Sequence, residues 1–312
     1  MKFGWKKFTL YAIILNTIFF MFAAVFSACE FGSPLYLYGG TPVDSRSREI
    51  KILQSPNIPK VEANSAKYSF LILTDTHFGT EKTERREKEF LQKFESLLSA
   101  AQDELKPRFI INLGDTLNAG RDNEADSFNE ASQTWREKAK EIFIADDFKI
   151  YSILGNHDLY NEGWQIWKEK IWPGVSYYKF FLDADSDGKG FWFYFLDSAN
   201  GTLGASQLED LEKNLEADSD PKIIFCHYPP FVEQNGQYHF AFGNTIERNK
   251  MIAIFARHNV KFVFAGHAHE YSEHNFNKFV EVVVPSYAFK KAFALVTVDE
   301  ASEKVEYKIV EY

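Results

Sequence analysis

Short apolar runs recur from Lys67 onward: Tyr68–Leu73, Phe109–Leu113, Lys149–Leu154, Phe191–Leu196, Lys222–Phe225, Val260–Ala265, Phe279–Val284 and Phe293–Val298. Each has the length of a strand, and several lack polar alternation, as strands buried on both faces do. Between some of them the apolar residues switch to helical spacing. Phe90, Leu91, Phe94, Leu97 and Leu98 share one face, Leu208, Leu211 and Leu215 another, and Ile252 and Phe255 a third. Ser206 with Glu209 reads as a capping box that opens the second of these helices. Strand–helix alternation in the first half, followed by closely spaced strands, predicts a layered α/β domain with helices covering sheet.

Two segments depart from this pattern. At the N-terminus, Lys2, Lys6 and Lys7 precede an apolar run from Phe8 to Ala28, the pattern of an export signal. It ends in Phe26-Ser27-Ala28-Cys29, which resembles the lipobox of a bacterial lipoprotein signal with Phe in place of the commonest Leu. The run also meets the ~20-residue criterion for an uncleaved membrane anchor, and ordinary secretion is the third reading. Glu30 to Ala66 holds Gly and Pro among polar residues without a period, the mark of a tether. The expected division is therefore a signal over 1–28, a tether over 29–66 and one domain over 67–312, exported and held at the cell envelope through Cys29 or an anchor. Cys226, the only other cysteine, sits in an apolar run and reads as a core thiol.

The second departure is Leu159 to Gly190, a possible insertion (159–190) over the site, whose Trp164, Trp167 and Trp172 read first as packing residues. Inside it Asp183, Asp185, Asp187 and Gly188 imitate the start of a calcium loop, but Tyr194 stands where that loop needs a Glu. A hairpin turn fits better.

Composition adds one restriction. The formal net charge is −9, and an acidic surface repels polyanions, which argues against long nucleic acid as partner. Small phosphates remain compatible, because bound metal reverses a local field.

The chemistry lies where the strands end. Asp75-Thr76-His77 follows the first strand, and residues two apart on extended chain point the same way, so both side chains can reach one ion. Gly114-Asp115 follows the second strand, glycine permitting a sharp turn. Gly155-Asn156-His157-Asp158, His227 and Gly266-His267-Ala268-His269 end three more. Carboxyl ends of neighbouring strands converge on one crevice in α/β sheets, and five of the eight histidines lie at these ends. His239, His258 and His274 read as ordinary surface or core histidines. These potential ligands offer nitrogen and oxygen without thiolate, donors that suit Mn, Fe or Zn.

These motifs, D-x-H, G-D, G-N-H-D, H and G-H-x-H, occur in the order seen in the calcineurin-like metallophosphoesterases, which the chain resembles over about Leu71 to Glu270. The resemblance implies a two-sheet β-sandwich flanked by helices (α/β/β/α) and a site for two metal ions. Carried over position by position, Asp75, His77 and His269 would hold one metal, Asn156, His227 and His267 the other, and Asp115 would bridge both. His157 would stay free of metal beside the substrate phosphate as a catalytic group, with Asp158 orienting it or supporting a ligand. The two metals would share a hydroxide and hydrolyse phosphate mono- or diesters. Asn118 stands where the purple acid phosphatases place a tyrosine ligand, so the colour of that branch is not expected. The arginine-bearing sequences of the protein serine/threonine phosphatases are also missing. The expected partners are a small phosphoester and, through the N-terminus, a membrane. Alternatives are a nucleotide or cyclic-nucleotide phosphodiesterase or nuclease, and a non-catalytic metal-binding lipoprotein. Substrate and oligomeric state are not legible, since specificity lives in loops.

Overall fold

The computed structural model describes residues 42–57, 67–102, 105–143, 147–184, 188–234, 237–238 and 242–312. The signal motif and Cys29 lie outside these residues, as do His239, Asp185 and Asp187. No helix among the described residues is long and apolar enough to cross a membrane.

In chain order the elements are α1 (Val43–Arg46), β1 (Lys51–Ile52), β2 (Lys67–Leu73), α2 (Glu81–Leu98), β3 (Pro107–Asn112), α3 (Asp122–Phe143) and β4 (Ile150–Ser152). Then follow α4 (Gly163–Lys170), β5 (Tyr178–Leu182), β6 (Phe191–Phe195), α5 (Gly204–Ala217), β7 (Lys222–Phe225) and the small pair β8 (Glu233–Gln234) and β9 (Gln237–Tyr238). The chain closes with α6 (Thr245–Arg257), β10 (Val260–Ala265), β11 (Ser272–Asn275), β12 (Val280–Val283), α7 (Tyr287–Lys290), β13 (Ala292–Asp299) and β14 (Lys304–Glu311).

Two mixed sheets carry the fold, one ordered β1-β5-β6-β7-β10-β12-β11 and the other β14-β13-β2-β3-β4. The strand sequences explain their stacking. On β2, Tyr68, Phe70 and Ile72 face one way and Leu71 and Leu73 the other, and all are buried. The first set meets Phe109, Phe180, Phe193, Phe225 and Phe264 between the sheets, with Phe70 edge-on to Phe193 at 5.6 Å. The second set is covered by α2, α3 and α4 through Phe90, Phe94, Trp135 and Trp167. On the other sheet Tyr194, Ile224 and Val263 lie under α5 and α6. The result is the expected α/β/β/α layering. β2, β3 and β4 run parallel, as do β6, β7, β10 and β12.

Three readings of the sequence are corrected. Residues 42–57 are docked rather than part of a loose tether. Arg46 makes a two-pronged bond to Asp197, with Nε to Oδ2 and Nη2 to Oδ1 both at 2.9 Å, and Lys51–Ile52 pairs in parallel with β5. That buried ion pair and the backbone pairing outweigh a Gly/Pro-rich composition, which reports only local preference. Second, Ser206 does not cap its helix. α5 starts at Gly204, and the Ser206 N–H is taken by the Asp44 carboxylate at 3.1 Å, so the cap comes from the docked segment. Third, 159–190 is not a separate insertion: Trp164 and Trp167 are buried in the α2–α3–α4 layer, and β5 and β6 form an antiparallel hairpin within the larger sheet. Trp172, 40% exposed, packs edge-on to Tyr151 at 4.8 Å.

Candidate metal centre

The loops after β2 and β3 continue the pairing of their strands. Leu113 N–H bonds Leu73 O at 2.8 Å, Asp75 N–H bonds Gly114 O at 3.1 Å, and His77 N–H bonds Asp115 O at 2.9 Å. Glycines let the neighbouring strand ends close in. A Cβ on Gly114, which has φ +91°, would sit 2.5 Å from Gly155 N; one on Gly266 would sit 1.9 Å from Thr74 Oγ1. Asp75, His77, Asp115, His267 and His269 all have φ between 45° and 64°, a conformation uncommon in side-chain-bearing residues and associated with functional sites. The shared direction of Asp75 and His77 therefore comes from two left-handed residues, not from an extended strand as the spacing suggests.

Asp75 and His227 are each anchored on one atom and leave another inward. Asp75 Oδ2 accepts from Thr74 Oγ1 at 2.7 Å and from His267 N–H at 3.1 Å, while Oδ1 has no hydrogen-bond partner among the described residues and lies 3.3 Å from His269 Nε2. His227 donates from Nδ1 to Leu113 O at 2.8 Å, which fixes its tautomer and turns Nε2 toward Asn156 Oδ1 at 3.2 Å and Asp115 Oδ1 at 3.4 Å. Asp115 Oδ2 lies 3.8 Å from His77 Nε2. His77 is 2% exposed, and neither of its ring nitrogens has a hydrogen-bond partner among the described residues.

Two groups of inward donor atoms result, each with all atoms within 4.8 Å of one another: Asp75, His77, Asp115 and His269, and Asp115, His227 and His267. Asp115 belongs to both, and Asn156 joins the second through His227. Buried polar atoms without partners are costly, and a lone carboxylate oxygen beside an unpartnered imidazole is what a cation would satisfy. The donors therefore fit divalent metal.

The acids and histidines of the cluster shift one another's charge. Burial opposes ionisation of Asp115, yet His227 and His77 beside it hold its carboxyl far below the usual range. Burial also opposes protonation of His227, but Asp115 and Asp75 overcome it and push its pKa up to about 9. Burial and then the charge of His227 drive His267 down to about 3. Asp75 likewise raises His269 against the opposing effect of burial, so the two acids draw positive charge toward themselves.

His157 lies beside this cluster. Its backbone N–H bonds Asp115 Oδ1 at 2.8 Å, its ring is edge-on to His77 at 4.6 Å, and its Nδ1 lies 2.6 Å from Asn118 O. A carbonyl only accepts, so Nδ1 carries hydrogen and Nε2 is the exchangeable position. Asp158 does not touch that ring. Its two oxygens accept Leu117 N–H and Gly155 N–H, both at 2.8 Å, so it ties the loops around Asp115 together; burial and the Asp115 charge push its pKa up to about 7.

Several contributors were not foreseen from sequence. Ser198 Oγ accepts from both His227 N–H and Tyr228 N–H at 2.9 Å, and Tyr228 stacks on His267 at 3.8 Å. Ser286 Oγ donates to Asp75 O at 3.0 Å. A signal existed for Ser198 alone, since Asp197-Ser198 is another polar pair directly after a strand.

A protein from Fibrobacter succinogenes named as a probable cyclic nucleotide phosphodiesterase is 30% identical over 121 residues, covering 38% of this chain and 44% of that one. The match thus spans less than half of that relative's length. Among solved structures, Plasmodium GAP50, described as the anchor in the inner membrane complex, superposes with a TM-score of 0.54 at 14% identity, covering 78% of this chain and 84% of that one; at that identity the likeness speaks for the fold. The model of the calcineurin-like phosphoesterase family matches residues 68–271, and with these motifs in these places the chain belongs to that family.

Proposed function

We propose that the chain hydrolyses small phosphate esters with two divalent cations, one held by Asp75, His77 and His269, the other by Asn156, His227 and His267, with Asp115 between them. The observation that carries this reading is the sharing of Asp115 by two donor clusters, one of which contains a buried histidine with no hydrogen-bond partner among the described residues. Two cations so placed would supply Lewis-acid stabilisation of phosphoryl charge and acidify a water.

The chain's own residues do the rest. Thr74 and the His267 N–H hold Asp75 by one oxygen so that the other stays directed inward. The Leu113 carbonyl keeps His227 in a single tautomer. Asn118 O does the same for His157 and leaves Nε2 to carry the proton that a leaving alkoxide needs. Asp158 and Ser198 fix the loops that bear Asp115 and His227.

A second reading, cleavage of cyclic nucleotides, is favoured by the name of the Fibrobacter relative. For location we propose the cell envelope, on the strength of the lysines, apolar run and Cys29 of the N-terminus. The deciding experiment is a screen of purified protein against phosphomonoesters, cyclic nucleotides, bis-phosphodiesters and phospholipid head groups, with added manganese, iron or zinc and with chelator. Turnover of one class that is lost on chelation is expected. Full metal occupancy without turnover of any class would leave a metal-binding protein instead.

A further inference from the structure

Histidines that bind metal are usually oriented by a hydrogen bond from the ring nitrogen facing away from the ion. His227 obeys this rule through Leu113 O. His77 does not: among the described residues neither nitrogen has a hydrogen-bond partner, so one is left over even when the other takes a cation. Its ring is surrounded by other rings instead, with His157 edge-on at 4.6 Å, Phe289 at 5.3 Å and His269 at 5.6 Å. Phe289 also lies nearly flat on His269, at 4.9 Å and 19°. It therefore touches both histidines of one donor cluster.

Phe289 is not an ordinary core residue, being 39% exposed with the Lys82 ammonium 4.6 Å above its ring. Backbone contacts hold it at this rim. The Ser286 hydroxyl that accepts from Phe289 N–H at 3.2 Å also donates to Asp75 O at 3.0 Å. Tyr287 N–H bonds Thr74 O at 3.0 Å, and Ala288 N–H bonds Asp75 O at 3.3 Å. The single turn α7 is thus fastened to the loop that carries Asp75 and His77, which fixes Phe289 against the rings it covers.

We propose that Phe289 is a positioning residue that sets the ring planes of His77 and His269, and thereby the affinity of the Asp75–His77–His269 half of the centre, without acting on the His227 half. The proposal rests on the two-metal reading above. Loss of a contact that orients a ligand typically costs about 10–100-fold in metal affinity.

The test is calorimetric titration of the metal-free protein with divalent manganese or zinc, for wild type, Phe289→Ala, Phe289→Leu and Phe289→Tyr, with melting of each metal-free form measured in parallel. Wild type should bind two ions. Phe289→Ala should weaken one of them about 10–100-fold and leave the other unchanged, and Phe289→Tyr, which keeps a flat ring, should restore it. In an Asp75→Asn background, where that half is already lost, Phe289→Ala should have no further effect. Should Phe289→Ala fail to fold, Phe289→Leu keeps apolar volume without a flat ring and should show the same one-sided loss. Unchanged binding, or equal weakening of both ions with a lowered melting point, overturns the proposal. Fewer than two ions in wild type refutes the two-metal reading instead.

Discussion

Glu281 tests how burial controls charge in this fold. It lies on β12, 1% exposed, on the face opposite to Val280 and Val282, which pack into the intersheet core. Oε1 accepts from Phe231 N–H at 3.0 Å, and Oε2 has no hydrogen-bond partner among the described residues. Burial pushes its pKa from the ordinary 4.5 up to about 8, against the opposing pull of the Phe231 bond. Across that window the folded chain keeps a proton that the unfolded chain has released. The contribution is therefore fully present below 4.5 and is lost as pH rises toward 8, at about 1.36 kcal/mol per pH unit. Over the window this amounts to about 3–5 kcal/mol, a large share of the 5–15 kcal/mol typical of a domain. Glu281→Gln retains an oxygen for Phe231 N–H and cannot ionise. Urea unfolding of the metal-free protein should show the variant close to wild type at pH 4.5 and more stable by about 3–5 kcal/mol at pH 9. Other titrating groups are common to both proteins and cancel in the difference. A difference that does not change with pH would refute the reasoning.

Asp115→Ala should reduce bound metal from two ions to at most one and abolish nearly all phosphoesterase activity, because the shared carboxylate offsets repulsion between neighbouring cations; elemental analysis reads it, and two ions retained would remove Asp115 from the bridge. His157→Ala should keep both metals yet lower turnover by about 10²–10⁴-fold for esters with poor alkoxide leaving groups. That deficit should shrink as leaving-group pKa falls; a constant deficit would make His157 a phosphate-binding group instead of a proton donor. Cys29→Ser should move the protein from the detergent phase to the aqueous phase or stall it as a precursor, and equal fatty-acid labelling of both forms would exclude acylation at Cys29.

Much of the fold was legible because the strands are apolar enough to betray themselves. Lys222–Phe225 and Val260–Ala265 have the same ends in structure as in pattern. The misses have particular causes. α3 buries Ala125, Ala131 and Ala139 along with Phe128 and Trp135, so its helical face is mostly alanine and its period is faint. β14 alternates charged with apolar residues in Lys304–Glu311 and lies at the edge of its sheet, where exposure on one side erases the continuous apolar run. The docking of 42–57 depends on Arg46 meeting Asp197 across 151 positions, and local composition carries no trace of so distant a pairing.

The site was legible in a different sense: its residues stood in the motifs, while the force that brings them together did not. Strand periodicity places Asp75 and His77 on one side of an extended chain, but both are left-handed, as are Asp115, His267 and His269. Each such residue costs on the order of 1–3 kcal/mol, so the arrangement must be held by its surroundings. Backbone bonds between the loops supply that hold, from Leu113 to Leu73, Asp75 to Gly114 and His77 to Asp115. The sequence marks where this happens only indirectly. Gly114, Gly155 and Gly266 each stand where a Cβ would collide with the neighbouring loop, at 2.5, 2.1 and 1.9 Å, and each directly precedes a proposed ligand. The glycines of G-D, G-N-H-D and G-H-x-H are therefore contact points between loops as much as turns. What lets the donors gather into two groups that share Asp115 is the close approach of the loops after β3 and β4 at Gly114 and Gly155, and of those after β10 and β2 at Gly266 and Thr74, which a side chain at these glycines would push apart.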